Sequence, residues 1–226
     1  PDYDTGKVYV DLDAQGQPSY DIVQNVAWDV MQFDPDMEEL ARRCEAVTFG
    51  TLAQRHPQSR NTIHRFLASA TRAIRLFDVN LRQQYFDESI LRRSCENATI
   101  IKLNQAELPV VSNLLGLDGN AAEDAQCQTL LKRFNLKMVA LTRGEKGTVL
   151  YTAADRIEGE LVSYPAANQA DAIGAGDACT AGLLVGLVLR LPPARLVHLA
   201  NHMGAYVASQ PGATPKLPDE ILALVR

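Results

Sequence analysis

The stretch IRLFDV at residues 74–79 decides the fold together with two later runs, TIIKL at residues 99–103 and MVALT at residues 138–142. Each run is short and mainly apolar, as expected of a β-strand that is buried on both faces of a sheet. The segments between them, such as residues 88–95, carry apolar residues at helical spacing. Strands that alternate with helices in this way predict an α/β fold, with a mostly parallel sheet and helices on both of its faces.

The residues before this alternation have a different pattern. Residues 7–13 alternate between apolar and polar side chains, which is the period of a half-buried strand. A turn signal follows at residues 14–17, and residues 19–23 have the weaker pattern of a second strand. We therefore expect a small β-hairpin, which must lie against the main body, a partner chain or a ligand because an isolated hairpin is marginally stable.

Composition limits the classes of protein. The 226 residues include 22 Lys and Arg and 27 Asp and Glu, so the formal net charge is −5. This balance argues against nucleic-acid and membrane-surface partners that bind a basic face. The most apolar run, residues 181–189, is too short to cross a bilayer. The four cysteines lack metal-ligand or CxxC spacing, so we expect free thiols and a cytoplasmic location.

Polar or glycine-rich segments follow three consecutive strands of the predicted sheet. These segments are residues 78–82, 104–107 and 142–147. Taken singly, each is explained by a helix cap or a tight turn. Ligands of such sheets bind outside the carboxyl ends of the strands, and all three segments lie at that edge. Their agreement favours a ligand site there.

The stretch DAIGAGDACTAG at residues 171–182 carries the strongest functional signal. Gly174 and Gly176 open a long apolar helix, and backbone amides at such a start attract phosphate. Asp177 lies in the first turn, where a carboxylate can accept a proton from a hydroxyl group in phosphoryl transfer. A helix cap with a glycine turn is the alternative. A P-loop motif is missing, and Cys179 stands where a dinucleotide-binding loop requires glycine.

These residues resemble the C-terminal signature of the ribokinase/PfkB carbohydrate kinases, because Gly174-Ala175-Gly176-Asp177 is preceded by Asp171. The resemblance extends from Thr5 onward, and it is closest to bacterial fructokinases. It implies a ribokinase-like sheet with a small β lid. Supporting motifs occur in the family's order: Asp78-x-Asn80-x-Arg82, Asn104-x-x-Glu107, Thr142-x-Gly144-x-x-Gly147, Ala200-Asn201 and Gly212-Ala213-Thr214-Pro215.

The resemblance implies a role for each part of the C-terminal signature. Asp177 would be the general base that activates a sugar hydroxyl group. The amides of Gly174, Ala175 and Gly176 would form an anion hole for the transferring phosphoryl group. Asp171 and the Ile173 carbonyl group are candidate ligands of a monovalent cation such as K⁺.

The resemblance also implies an ATP site. Asn104 and Glu107 would hold Mg²⁺ through water beside the ATP phosphates. Thr142 and Gly144 would contact phosphate, and Gly147 would shape the nucleotide loop. Asn201 would lie near the adenine ring. Arg82 is the candidate substrate contact outside this group.

Two departures from the family pattern bear on these expectations. Ala172 stands where the family usually has Thr or Ser, which removes a hydroxyl group beside the anion loop. The family's N-terminal strands, which grip the sugar, have no counterpart before Pro1. We expect an incomplete sequence of a longer kinase. Residues 1–30 would be part of the β lid, through which a homodimer forms, and residues 31–226 would be the ATP-binding and catalytic domain.

The expected function is an ATP-dependent sugar kinase that transfers the γ-phosphate of ATP to a sugar hydroxyl group, and specifically a fructokinase. Within the same class, 2-keto-3-deoxygluconate kinase and ribokinase remain alternatives. The first of these requires a cation for the substrate carboxylate, for which Arg82 is the candidate. A non-catalytic sugar or nucleotide sensor of the same fold is the alternative from another class. The presence of Asp177 argues against a sensor, because binding alone has less need of a base.

Overall fold

The computed structural model describes residues 3–12 and 18–225. The predicted hairpin is present as two antiparallel strands, β1 (Val8–Leu12) and β2 (Pro18–Ile22), with Val8 opposite Ile22. The predicted turn at residues 14–17 lies outside the described residues. The two strands form a sheet of their own. The hairpin is therefore joined to the main body through the residues at its base.

The main body begins at residue 35 and alternates helices and strands as predicted. Aspartate side chains cap the N-termini of two of its helices. Asp34 accepts a hydrogen bond from the Met37 amide, and Asp87 accepts one from the Ile90 amide. In chain order the elements are α1 (Pro35–Arg43), β3 (Ala46–Phe49), α2 (Pro57–Ser69), β4 (Ile74–Asp78), α3 (Glu88–Asn97), β5 (Ile100–Asn104), α4 (Glu107–Leu114), α5 (Glu123–Arg133), β6 (Met138–Thr142), β7 (Thr148–Tyr151), β8 (Arg156–Glu158), α6 (Ala175–Val188), α7 (Pro193–Ala208) and α8 (Asp219–Ala223).

The sheet of the main body has the strand order β3-β4-β5-β6-β7-β8. Strands β3 to β6 are parallel, and β7 and β8 pair antiparallel at one edge. The connection from β6 to β7 is too short for the crossover that a parallel pair requires, so the chain turns straight back. The mostly parallel sheet predicted from the sequence is confirmed.

The strand expected over residues 157–164 is much shorter in the structure, where β8 ends at Glu158. The Gly159 amide still bonds to the Thr148 carbonyl group of β7. The next carbonyl group, of Glu160, instead accepts a hydrogen bond from the Asn201 side chain on α7. The chain therefore leaves the sheet at this point, because its backbone groups are satisfied by a helix rather than by another strand.

Helices cover both faces of the sheet, as predicted. One core cluster contains residues of α3, α4 and α5, such as Leu91, Leu108 and Leu130, which are fully buried against the strands. The other contains Leu183 of α6 and Leu196 of α7. Burial of each such side chain stabilises the fold by about 2 kcal/mol relative to exposure. This arrangement brings the carboxyl ends of β3 to β6 to one edge of the sheet.

Helix α6 is held close to α7 by glycine. A Cβ atom at Gly182 would lie 2.9 Å from the Cα atom of Ala200, so a larger residue would push the two helices apart. The position of α6 matters because its N-terminus lies at the carboxyl edge of the sheet. In the part of the chain that the structure describes, no helix is both long and apolar enough to cross a membrane.

Candidate active site

A cleft of about 560 Å³ opens at the carboxyl ends of β3 and β4 and beside the N-terminus of α6. This is the edge at which the sequence predicts a ligand site. Side chains from distant parts of the chain form its walls. They are Trp28, residues 48–53, Asp78, Asn80, Asp177, Thr180, Ala181 and Leu184.

The anion loop predicted from the glycines lies at the start of α6. Gly174 has φ = 79°, a left-handed conformation, and a Cβ atom there would lie 2.7 Å from the Cβ atom of Ala213. Both the conformation and the close approach require glycine. The amides of Gly174, Gly176 and Asp177 have no hydrogen-bond acceptor among the described residues. Open amides at a helix start form a site for an anion.

The amide of Ala175 differs from the other amides of this loop. It donates a hydrogen bond to the Ala172 carbonyl group at 3.2 Å. The predicted anion hole of Gly174, Ala175 and Gly176 is therefore open at its two glycines and occupied at the alanine. The Asp177 amide, which the sequence analysis did not include, is the third open donor.

Asp177 presents an exposed carboxylate to the cleft from the first turn of α6. Its side chain has no hydrogen bond or ion pair with another described residue, so its oxygen atoms are available to a ligand. A carboxylate beside open backbone amides can accept a proton while the amides stabilise negative charge. The arrangement has the components that phosphoryl transfer requires.

A buried network lies directly beneath this loop. Lys102 of β5 contacts both carboxylate oxygens of Asp78 of β4, with Nζ 3.0 Å from Oδ1 and 2.8 Å from Oδ2. The Thr180 hydroxyl group of α6 lies 2.6 Å from Asp78 Oδ2 and 3.0 Å from the Gly176 carbonyl oxygen. The network ties two strands to the helix that carries Asp177. A Cβ atom at Gly176 would lie only 3.8 Å from Lys102 Nζ.

Sequence reasoning missed Lys102 and Thr180 as parts of the site. The signal for Lys102 was available, because a lysine within the apolar run TIIKL must be buried and buried charges are paired. Nothing in the sequence identified Asp78 as its partner. The pairing depends on the register of two parallel strands, in which Asp78 lies beside Lys102.

Glu107 and Asn104 meet at the end of β5, as the NxxE spacing predicts. Glu107 is buried, and its two carboxylate oxygens accept hydrogen bonds from the amides of Leu81 and Asn104, each at 2.9 Å. The Asn104 side chain accepts hydrogen bonds from the amides of Ala106 and Glu107 and so begins α4. Glu107 has no cationic side chain as a partner among the described residues. Its remaining lone pairs suit the water shell of a divalent cation.

The predicted nucleotide loop follows β6. Gly144 and Gly147 both have positive φ, 57° and 70°. A Cβ atom at Gly147 would also lie 3.0 Å from the Asn201 side-chain nitrogen. Asn201 is buried and donates to the Glu160 carbonyl group at 2.9 Å, so it supports the loop from behind. Thr142 is half-buried at the end of β6, beside Asn104 of β5.

Asp171 joins two loops beside the anion loop. Its carboxylate accepts hydrogen bonds from the Ile173 amide at 2.9 Å and from the Gly212 amide at 3.1 Å. The Ile173 side chain is exposed. Asp171 therefore aligns the segment before Gly174 with the segment before Ala213, which Gly174 contacts.

Arg82 lies outside the lining of the cleft. Its guanidinium group is exposed and donates to the Leu81 carbonyl group at 3.2 Å. The structure brings Asp78 and Asn80 of the same motif into the cleft, but not Arg82.

The turn at residues 50–54 contributes residues 50–53 to the lining of the cleft. The Thr51 hydroxyl group bonds to the Val79 carbonyl group at 3.0 Å, and the Gln54 side chain bonds to the Gly50 carbonyl group at 2.8 Å. Gln54 also lies 3.1 Å from the ring nitrogen of His64. Burial, aided by the charges of two nearby arginines, lowers the pKa of His64 to about 4. The turn is thus packed against a neutral histidine.

Proteins with similar sequences include fructokinases. The Escherichia coli fructokinase is 26% identical over 95% of this chain and 71% of its own length. The fructokinase-1 of Oryza sativa subsp. japonica is 28% identical over 97% of this chain and 70% of its own. Sugar kinases are thus similar to this chain over nearly all of its length.

Solved structures show the same fold. An uncharacterized sugar kinase from Pyrococcus horikoshii, in complex with ATP, has a TM-score of 0.75 at 26% identity and covers 98% of this chain and 70% of its own. A fructokinase from Vibrio cholerae O395, in its fructose, ADP and calcium ion bound form, has a TM-score of 0.77 at 22% identity, with coverage of 100% and 75%.

The sequence of residues 2–220 matches the family described as pfkB family carbohydrate kinase. This match confirms the resemblance drawn from Asp171 and the Gly174–Asp177 loop. The chain therefore belongs to the pfkB family of carbohydrate kinases.

Proposed function

We propose that this sugar kinase is a fructokinase that uses Asp177 as its base. The observation that carries the proposal is that the Asp177 carboxylate, which lines the cleft, and the open amides of Gly174 and Gly176 belong to the same start of α6. The base must reach the attacking hydroxyl group while the amides reach the oxygen atoms of the phosphoryl group, and here both come from the first turn of α6.

The proposed reaction is a direct transfer from ATP. Asp177 accepts the proton of the sugar hydroxyl group, and the freed oxygen attacks the γ-phosphorus atom. The bond between this phosphorus and the oxygen that bridges to the β-phosphate breaks, and ADP leaves with that electron pair. The amides of Gly174, Gly176 and Asp177 stabilise charge on the moving phosphoryl group.

ATP is the phosphoryl donor in this proposal, and its phosphates would lie between the nucleotide loop and the anion loop. Thr142 and Gly144 contact phosphate, while Gly147 and Asn201 shape the wall toward the adenine ring. Asn104 and Glu107 would hold Mg²⁺ through water, which fits the buried carboxylate of Glu107, because it has no cationic partner among the described residues. Bound Mg²⁺ neutralises charge on the ATP phosphates. Asp171 and the Ile173 carbonyl group would hold K⁺.

A neutral sugar fits the described cleft better than an acidic one. Its lining presents the Asp177 carboxylate, which has no cationic partner among the described residues, whereas Asp78 is paired with Lys102 and Arg82 lies outside the lining. The carboxylate of 2-keto-3-deoxygluconate would therefore meet negative charge without a facing cation among the described lining residues. This favours fructose over 2-keto-3-deoxygluconate, and ribose remains the second candidate.

The β lid is the proposed contact of a homodimer. Strands β1 and β2 pair only with each other among the described strands, so each has an edge that can accept another strand. Val8 and Tyr9 on β1 are exposed apolar side chains. Because successive side chains of a strand point to opposite faces, a second copy that packs on one face of the hairpin would cover one of them.

The test measures ADP release by the full-length protein with fructose, 2-keto-3-deoxygluconate, ribose and adenosine. We expect turnover with fructose, and Asp177→Asn should lower kcat about a thousandfold while ATP binding persists, because only the proton acceptor is lost. Asp219→Asn, an exposed aspartate at the start of α8, is the matched control and should leave kcat unchanged.

Three outcomes would contradict the proposal. Turnover that survives in Asp177→Asn would remove this residue from the mechanism. Preference for another sugar would reassign the substrate. ATP binding without turnover on any of the four compounds would favour a sensor.

A further inference from the structure

The guanidinium group of Arg55 contacts several segments beside the cleft, and the proposed reaction uses none of these contacts. Its side chain is only 5% exposed, and that of Asp29, its ion-pair partner, is 2% exposed. Nε and Nη2 of Arg55 each lie 2.8 Å from one carboxylate oxygen of Asp29. Such a two-point pair fixes the orientation of both side chains.

The same guanidinium group holds the base of the hairpin. It donates to the Val23 carbonyl group at 2.6 Å and to the Ile22 carbonyl group at 3.4 Å, where the chain leaves β2. Asp29 in turn accepts a hydrogen bond from the Val26 amide. The residues that connect the hairpin to the main body are thus wrapped around one buried cation.

Arg55 also holds two parts of the cleft wall together. Its guanidinium carbon lies 4.0 Å from the centre of the Trp28 ring, and Trp28 lines the cleft. In sequence Arg55 directly follows Gln54, at the end of the turn that forms the same wall. The ring of Tyr85 covers the guanidinium group at 5.0 Å. One side chain therefore fixes the tryptophan, the turn and the base of the hairpin at the same time.

We propose that Arg55 is a positioning residue for the acceptor sugar, which holds Trp28 and the turn at residues 50–54 in the shape that binds the sugar. The inference rests on the proposed function, because it assigns the cleft to the sugar. Arg55 is a positioning residue because it acts through Trp28 and the turn rather than by touching the reacting atoms. Its loss should weaken sugar binding and leave the nucleotide side intact.

Lysine is the informative substitution. Arg55→Lys keeps the positive charge opposite Asp29, but an ammonium group cannot make the two-point pair, reach both carbonyl groups and stack on Trp28 together. We expect KM for the sugar to rise about tenfold, which corresponds to the loss of one charged hydrogen bond. KM for ATP and kcat at saturating sugar should stay within about twofold, because Asp177 and the anion loop are held by the other network.

Arg75→Lys is the matched control. Arg75 of β4 also uses its guanidinium group to hold backbone carbonyl groups, those of Asn97 at 2.6 Å and Ala70 at 3.1 Å, at the opposite end of the strand from the cleft. It should alter stability without raising KM for the sugar. A second measurement uses the fluorescence of Trp28, with Trp28→Phe as the reference that assigns the signal to this residue. Its fluorescence should change on addition of fructose, with a midpoint about tenfold higher in Arg55→Lys.

The outcomes separate this inference from the proposed function. An unchanged sugar KM in Arg55→Lys, or an equal rise in the KM values for sugar and ATP, would overturn the inference alone. A wild-type protein that shows neither sugar-dependent turnover nor a fluorescence change with any sugar would overturn both. If Arg55→Lys does not fold, Asp29→Asn keeps the shape of the partner and should show the same selective rise in sugar KM.

Discussion

Two buried ion pairs border the cleft, and they hold different parts of it in place. Lys102 and Asp78 join neighbouring strands of the sheet and reach α6 through Thr180. Arg55 and Asp29 join the base of the hairpin to a turn of the main body. The first pair fixes where the first turn of α6 stands relative to the sheet. The second fixes Trp28 and the turn at residues 50–54. The comparison teaches that one ion pair can place the reacting groups of a cleft while a different ion pair fixes the shape of the wall that receives the substrate.

Neither ion pair contributes much net free energy to the stability of the fold. Removing two charges from water costs several kcal/mol, and the attraction between them about offsets that cost. What a buried pair does supply is a penalty for any arrangement in which one partner is left alone. Both pairs connect segments that are distant in sequence. Any arrangement that misplaces one of these segments would therefore leave a buried charge without its partner and be destabilised.

The largest expected effect is that of Lys102→Met, which leaves Asp78 as a buried carboxylate without a cation. We expect the free energy of unfolding to fall by about 3 to 5 kcal/mol, measured by urea denaturation. Lys132→Met, at an exposed position of α5, should change it by less than about 0.5 kcal/mol. Recovery of most of the loss in the double variant Lys102→Met with Asp78→Leu would confirm the unpaired charge as the cause. An unchanged midpoint in the single variant would contradict the buried pair.

An intermediate effect is expected from Gly174→Ala in the anion loop. Alanine at φ = 79° is strained by about 1 to 2 kcal/mol, and its Cβ atom would also meet the backbone of Ala213. We expect kcat/KM to fall roughly 30- to 150-fold, because the open amides shift away from the phosphoryl group. Gly116→Ala has the same strain, with φ = 72° and open space around it. If both variants lose equal activity, misplacement of the loop is not the cause.

The smallest expected effect concerns pH and the turn beside Arg55. The pKa of His64 is lowered to about 4 in the folded chain, whereas an unfolded histidine titrates near 6.5. Only the unfolded state therefore gains this proton as the pH falls from 6.5 to 4, so the stability that neutral His64 provides is present above that window and lost within it. We expect a loss of about 1 to 2 kcal/mol, discounted for the partial exposure of the ring.

Urea denaturation at several pH values checks this expectation. His64→Gln keeps a polar side chain beside Gln54 but removes the titrating group. The free energy of unfolding of this variant should therefore fall less steeply between pH 6.5 and 4 than that of the wild-type protein. A parallel slope in both proteins between pH 6.5 and 4 would assign the pH dependence to other groups.

The two sides of the cleft differ in how far the sequence reveals them. The anion loop could be predicted because its chemistry is local: the glycines, the helix start and Asp177 lie within a few residues, and backbone amides need no partner from elsewhere. The NxxE spacing at Asn104 and Glu107 is local in the same way. The Arg55 cluster could not be predicted, because Trp28, Asp29 and Arg55 show no spacing that requires them to meet.

Prediction failed where a segment's neighbours decided its structure. The strand expected over residues 157–164 has alternating character, but Asn201 takes the Glu160 carbonyl group and the strand ends at Glu158. The open donors of the anion loop also differ from those expected. The Ala175 amide is satisfied by Ala172, and the Asp177 amide is open instead. Local turn geometry decides which amides point outward, and residue types alone do not specify it.

The sequence by itself determined the α/β fold, the order of its strands and helices, the family and the residues that begin α6. The fold and the order of the elements follow from periodicity, and the start of α6 follows from glycine positions, all of which act over a few residues. The family follows from the resemblance of the motifs. Only the tertiary structure decided that Lys102 meets Asp78 and Thr180, that Arg55 gathers Trp28 and the hairpin base, and that Arg82 stays outside the cleft. The physical reason is that a charge in an apolar segment must be paired when it is buried, which the sequence shows. Which residue becomes its partner depends on strand register and helix packing, which the sequence does not show.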